Sequence, residues 1–132
     1  MRAIWQRPHP EIPKSEALVR VTVVYMIALF VAGLVLILST AEPLWRALWA
    51  DLVATLVVFG ASRWHRNSSF YDAFWSVIPP VLMLWWMVVG SSASTLREML
   101  VLALLLFWAT RLTCHWAYYW PGLHHEDWRY GM

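Results

Sequence analysis

Val21-Thr22-Val23-Val24-Tyr25-Met26-Ile27-Ala28-Leu29-Phe30-Val31-Ala32-Gly33-Leu34-Val35-Leu36-Ile37-Leu38 is a run of 18 residues without a charge. A hydrocarbon core ~30 Å thick takes about 20 mostly apolar residues to cross as a helix. The run therefore predicts a transmembrane helix, with Ser15 upstream as its expected N-cap. Comparable stretches follow. Between Asp72 and Arg97 lie 24 uncharged residues, interrupted by Pro79-Pro80. Those prolines remove amide donors and should kink the helix, which a bundle tolerates where neighbours re-satisfy the backbone. Met99 to His125 is a run of 27 residues whose one charge is Arg111. Trp45 to Ala61 is a weaker span, because Asp51 sits near its start.

Composition points the same way. Of 132 residues, 61% are hydrophobic and 14% charged, against ~25% charged in soluble domains. Eleven tryptophans, one cysteine (Cys114) and a net charge of +2 from dispersed Lys and Arg complete the picture. These values exclude a disordered tail, a disulfide framework and a basic nucleic-acid domain, so no nucleic-acid partner is expected. The expected fold is all-α: a polytopic membrane helix bundle with about four transmembrane helices. Residues 1–20 form a cytoplasmic N-terminal segment and residues 21–132 a single transmembrane helical domain in a lipid bilayer.

Local signals place the boundaries. Ser69-Phe70-Tyr71-Asp72 and Thr95-Leu96-Arg97-Glu98 both fit the capping box, in which two side chains reciprocally satisfy orphan amides. The last two helices are expected to start there, and Pro43 suits the first turn of the second. Arg2, Arg7, Lys14, Arg20, Arg63, Arg66 and Arg129 fall on one side of the spans, Arg46 and Arg97 on the other. The positive-inside rule then puts both termini in the cytoplasm. Asn67-Ser68-Ser69 is a glycosylation sequon, and sugar attached there would overturn this topology.

Arg111 is the residue most suggestive of chemistry. A charge near the bilayer centre costs roughly 2.5–3.5 kcal/mol on insertion scales, so it normally faces protein or a water-filled cavity. Trp108, Arg111, His115, Tyr118 and Gly122 share a helical face at spacings of three and four, with Tyr119 nearby. In a functional reading this face points inward and lines a polar site. Arg111 binds an anion or polarises a carbonyl, and His115 or Tyr118 donates or relays a proton. In a structural reading Arg111 pairs with Asp51, or joins a water-linked network between helices. The depths of Arg111 and Asp51 differ by ~9 Å at 1.5 Å per residue, which disfavours a direct bond. His124 and Asp127 have helix-compatible ligand spacing, but no recognisable metal-ligand set surrounds them, and no metal is expected.

Arg66-Asn67-Ser68-Ser69, Tyr71-Asp72, Trp75-Ser76-Val77 and Pro79-Pro80, followed by Glu126-Asp127-Trp128-Arg129-Tyr130, resemble the N-terminal half of steroid 5-alpha-reductase-like membrane proteins. The closest likeness is to a bacterial, largely uncharacterised branch. It runs from about Arg63 to the end of the chain. The resemblance implies an NADPH-dependent reductase of carbon–carbon double bonds in lipidic or steroid-like substrates, located in the bacterial inner membrane. It implies Glu126, Asp127, Arg129 and Tyr130 as residues toward the cofactor, at the cytoplasmic mouth of the site. The family's cofactor pocket also uses a C-terminal half. The chain is therefore expected to be inactive alone and to need that half or a partner subunit. The alternative is a non-catalytic membrane module that packs against a partner through a polar intramembrane seam.

Overall fold

The structure, a computed structural model, describes residues 12–90 and 95–124. It consists of α1 (Lys14–Leu38), α2 (Pro43–His65), a short 3-10 turn (Ser68–Phe70), α3 (Phe74–Val89) and α4 (Leu96–Tyr119). There is no strand among the described residues. Four segments are long and apolar enough to cross a membrane, the third counted from Ser68 to Val89. The all-α bundle of four spans expected from the sequence is the architecture observed.

The helix ends show where short-range signals were read correctly and where they were displaced. At α4 the capping box forms: the Thr95 amide donates to Glu98 Oε2 at 2.9 Å, and the Glu98 amide to Thr95 Oγ1 at 3.3 Å. Pro43 opens α2, where its missing amide costs nothing. Ser15, however, is not the N-cap of α1. The helix starts earlier, at Lys14, with Pro13 at the cap and no side-chain cap bond. The fixed φ of Pro13 suits the approach to a helix, and its carbonyl accepts from the Ala17 amide at 3.0 Å. Ser15 is thereby left inside the first turn.

The expected capping box at Ser69 is also displaced. Asn67 Oδ1 accepts from the Ser69 amide at 2.9 Å and starts the 3-10 turn instead. α3 then begins at Phe74, behind Ala73, which makes no side-chain cap bond. Pro79 and Pro80 both lie inside α3, which runs through them.

Packing follows the rules of lipid rather than those of water. Large apolar side chains point outward: Phe30 is 67% exposed, Ile37 74% and Phe107 71%. Small ones point inward. Ala17, Ala28 and Ala32 on α1, with Ala47, Ala50 and Ala54 on α2, are all buried. Spacings of four (Ala28 to Ala32, Ala50 to Ala54) place small residues on one helical face, the arrangement that lets membrane helices approach closely. With lipid outside, packing contacts rather than water expulsion favour this contact. α1 and α2 form one tight hairpin and α3 and α4 a second pair. The second pair is linked across the helices by Ser76 Oγ and Thr113 Oγ1 at 2.8 Å.

Candidate functional site

The two helix pairs meet at one end of the bundle, where the chain's polar order is concentrated. α2 ends on Arg66, whose φ of 50° is left-handed, and the Asn67 amide turns back to the Ser62 carbonyl at 3.0 Å. This closing bond from the second residue past the helix is the Schellman arrangement, here made without glycine. Ser62 Oγ in turn donates to the Asn67 carbonyl at 3.2 Å. His65 lies over Phe70 with ring centroids 4.8 Å apart. Its Nδ1 lies 2.9 Å from the Ala61 carbonyl. A carbonyl only accepts, so that ring nitrogen carries the hydrogen. Tyr25 donates its hydroxyl to the Phe70 carbonyl, and its ring meets Phe74 edge-on at 5.7 Å.

Asn67 is the centre of this junction. It is 2% exposed, so both ends of its amide must find partners. Oδ1 takes the Ser69 amide, and Nδ2 donates to the Leu123 carbonyl at 2.9 Å, across 56 residues of chain. Lys14 Nζ adds a second tie, donating to the Tyr118 carbonyl at 2.7 Å. The start of α1, the end of α2, the start of α3 and the turn after α4 are thus held at one end. That turn needs Gly122, whose φ is +125°. A Cβ there would sit 3.3 Å from the His124 ring. The buried Asn67 also closes the sequon in the folded state, because its Nδ2 is already engaged.

The α4 face reads differently from its expectation. Arg111, His115 and Tyr118 do lie together on α4, but all three are exposed. The stripe that packs inward includes Ala109, Thr113, Trp116 and Trp120. Small or flat side chains fit closely against α3, whereas a guanidinium at that contact would hold the helices apart. Gly122 leaves the proposed face altogether, since it lies past the helix end in the buried turn. His115 is covered on one edge by Tyr119, ring centroids 4.6 Å apart. Arg111 and Asp51 form no ion pair. Arg111 stands 15 residues into α4 and Asp51 eight residues into α2. At 1.5 Å per residue that is an offset of ~10 Å between helices whose first turns lie at the same end.

Glu126, Asp127, Arg129 and Tyr130, the residues assigned toward NADPH, lie outside the described residues, as does Asp127 of the weighed metal pair. Among the described residues no Gly-rich loop opens a helix, and Arg63 and Arg66 are exposed rather than closing a cleft. The described residues do not by themselves fit a dinucleotide. The sequence reading missed the tethering role of Asn67. Its signal was present: an asparagine just past a helical run, two residues before a serine amide that it can cap.

Four apolar spans, small-residue packing and an outward-facing belt of large side chains define a membrane-type helical bundle. Residues 58–132 match DUF1295, a family described as proteins of unknown function. The match covers more than half of the chain, which belongs to that family. No curated protein and no solved structure matches it.

Proposed function

We propose that this chain is the membrane-embedded half of a reductase acting on carbon–carbon double bonds in lipidic substrates, and that α4 supplies one wall of its site. The observation that carries the reading is the Asn67–Leu123 bond. It joins the stretch beginning at Arg66 to the residues just before Glu126-Asp127-Trp128-Arg129-Tyr130, the two motifs on which the resemblance to steroid 5-alpha-reductase-like proteins rests. In this reading Arg111 donates to the carbonyl oxygen of a conjugated substrate, which draws electron density from the double bond. Tyr118 or His115, which lie between Arg111 and the junction end of α4, then supplies a proton. Such donors act strongly where water is excluded, because a preorganised dipole is worth more at low dielectric. NADPH is the proposed reductant, held by groups other than the described residues. The junction faces the cytoplasm of a bacterial inner membrane in this reading, on the excess of Lys and Arg at that end.

The exposure of Arg111, His115 and Tyr118 favours a second reading, a non-catalytic module that packs on a partner through this face. One experiment separates them. Native membranes, in which the protein is accompanied by whatever supplies the cofactor-binding half, are assayed for NADPH oxidation with a panel of conjugated lipid enones, for wild type and Arg111→Leu. A reductase loses turnover with its assembly intact. A packing module shows no turnover in either form, and Arg111→Leu changes its assembly.

A further inference from the structure

The outward face of α4 is left uncovered by the other described helices. Leu104, Phe107, Arg111, His115 and Tyr118 follow spacings of three and four along it, and all are exposed. Leu104 is 69% exposed and Tyr118 76%. Positions 104, 111 and 118 are seven apart, the period at which one helix presents a continuous seam to another. Lipid could cover the apolar members of this seam. It cannot comfortably cover Arg111. By helical rise, Arg111 lies ~12 Å from the Tyr119 end of α4 and ~22 Å from the Leu96 end. Long cationic side chains near helix ends escape by reaching to the nearer interface. Here the geometry opposes that route. Side chains leave a helix tilted toward its N-terminus, so Arg111 sets out toward the farther surface.

A counter-charge is the other solution, and none lies at that depth among the described residues. Among the described residues Glu16, Glu42, Asp72 and Glu98 sit at helix ends, and Asp51 is offset by ~10 Å. A second copy in parallel register carries the same offset. We infer that the occupant of this face is a transmembrane helix carrying an aspartate or glutamate level with Arg111, seated along Leu104, Arg111 and Tyr118. This rests on the second reading above, the packing module, and deepens it by naming the partner's chemistry; an acid seated on Arg111 takes the place the substrate carbonyl holds in the reductase reading.

The native sequence provides the reporter. Cys114 is the chain's single cysteine, and it is exposed beside Arg111 on α4. The full chain is reconstituted in phosphatidylcholine vesicles with a single-span polyleucine helix carrying an aspartate within one turn of its centre. The same helix without the aspartate is the control. The rate at which a membrane-soluble maleimide modifies Cys114 is then measured. The aspartate helix is expected to slow modification at least fivefold, the all-leucine helix to leave it unchanged, and Arg111→Leu to abolish the protection. Arg111→Glu paired with a lysine-bearing helix should restore it, which keeps the test valid if Arg111→Leu folds poorly. Equal protection by both helices overturns the inference, as does protection that survives Arg111→Leu. Protection of the chain by itself, rising with its own density in the vesicle, points to a second copy and also overturns it. No cofactor or substrate enters the experiment, so its failure leaves the reductase assay unaffected.

Discussion

Replacing Asn67 by alanine should loosen the end of the bundle where all four helices meet. The side chain makes bonds of 2.9 Å to the Ser69 amide and to the Leu123 carbonyl, and Ser69 and Leu123 are 2% and 3% exposed. A buried hydrogen bond contributes ~0.5–1.5 kcal/mol net, and a group left stranded costs ~1–3 kcal/mol. These terms overlap, and water near the helix ends will relieve part of the second. A total of ~2–4 kcal/mol follows, or about 30- to 700-fold in the folding equilibrium at 1.4 kcal/mol per tenfold. Reversible unfolding in mixed detergent–SDS micelles measures it. Asn67→Asp sharpens the test. It keeps the oxygen that accepts from Ser69 but turns the donor toward Leu123 into a second oxygen facing a carbonyl. Hydrogen exchange read by mass spectrometry should then rise in residues 120–124 while the 3-10 turn stays protected. A loss under ~0.5 kcal/mol for Asn67→Ala, with unchanged exchange at 120–124, would refute the junction as a structural joint.

Three further substitutions probe other parts of the argument. Ala54→Leu places a large side chain where α1 and α2 touch, at a residue 0% exposed; it should cost ~1–3 kcal/mol by overpacking, seen as a lower melting temperature in detergent. Gly122→Ala puts a Cβ at φ +125° and 3.3 Å from His124; the strain should cost ~1–3 kcal/mol, and the turn after α4 should become the first site of proteolytic cleavage. Thr95→Ala breaks the capping box at an exposed site and should cost ~1 kcal/mol, with faster amide exchange confined to the first turn of α4.

The spans were legible because crossing a bilayer sets a length and a polarity that few other structures need. Thr95, Glu98 and Pro43 were legible because their partners lie within one helical turn. Ser15 and Ser69 fit the same local patterns and lost to competitors that a pattern does not weigh: the fixed φ of Pro13, and a side-chain cap already supplied by Asn67. Which way α4 faces was harder to read. In water an arginine marks the outside and a leucine the inside, but in lipid both faces of a helix are apolar. The inward side is then chosen by size, and on α4 the small residues Ala109 and Thr113 mark it, as Ala28, Ala32, Ala50 and Ala54 do on α1 and α2. The Asn67–Leu123 bond was beyond local reading, because nothing in either segment names a partner 56 residues away.

That separation also sets a timetable for biosynthesis. The α1–α2 hairpin is made of contacts between neighbouring segments and can close as soon as the second helix has left the ribosome. The carbonyl of Leu123 is synthesised 56 residues after Asn67, and that of Tyr118 is 104 residues after Lys14. At about 5–20 residues per second, the first tie waits ~3–11 s and the second ~5–21 s. During that interval water near the membrane surface must solvate the Asn67 amide, and the early hairpin sits in the bilayer with its lower end open. The nascent protein is therefore most vulnerable to proteases and to mispairing just before α4 and the turn after it arrive.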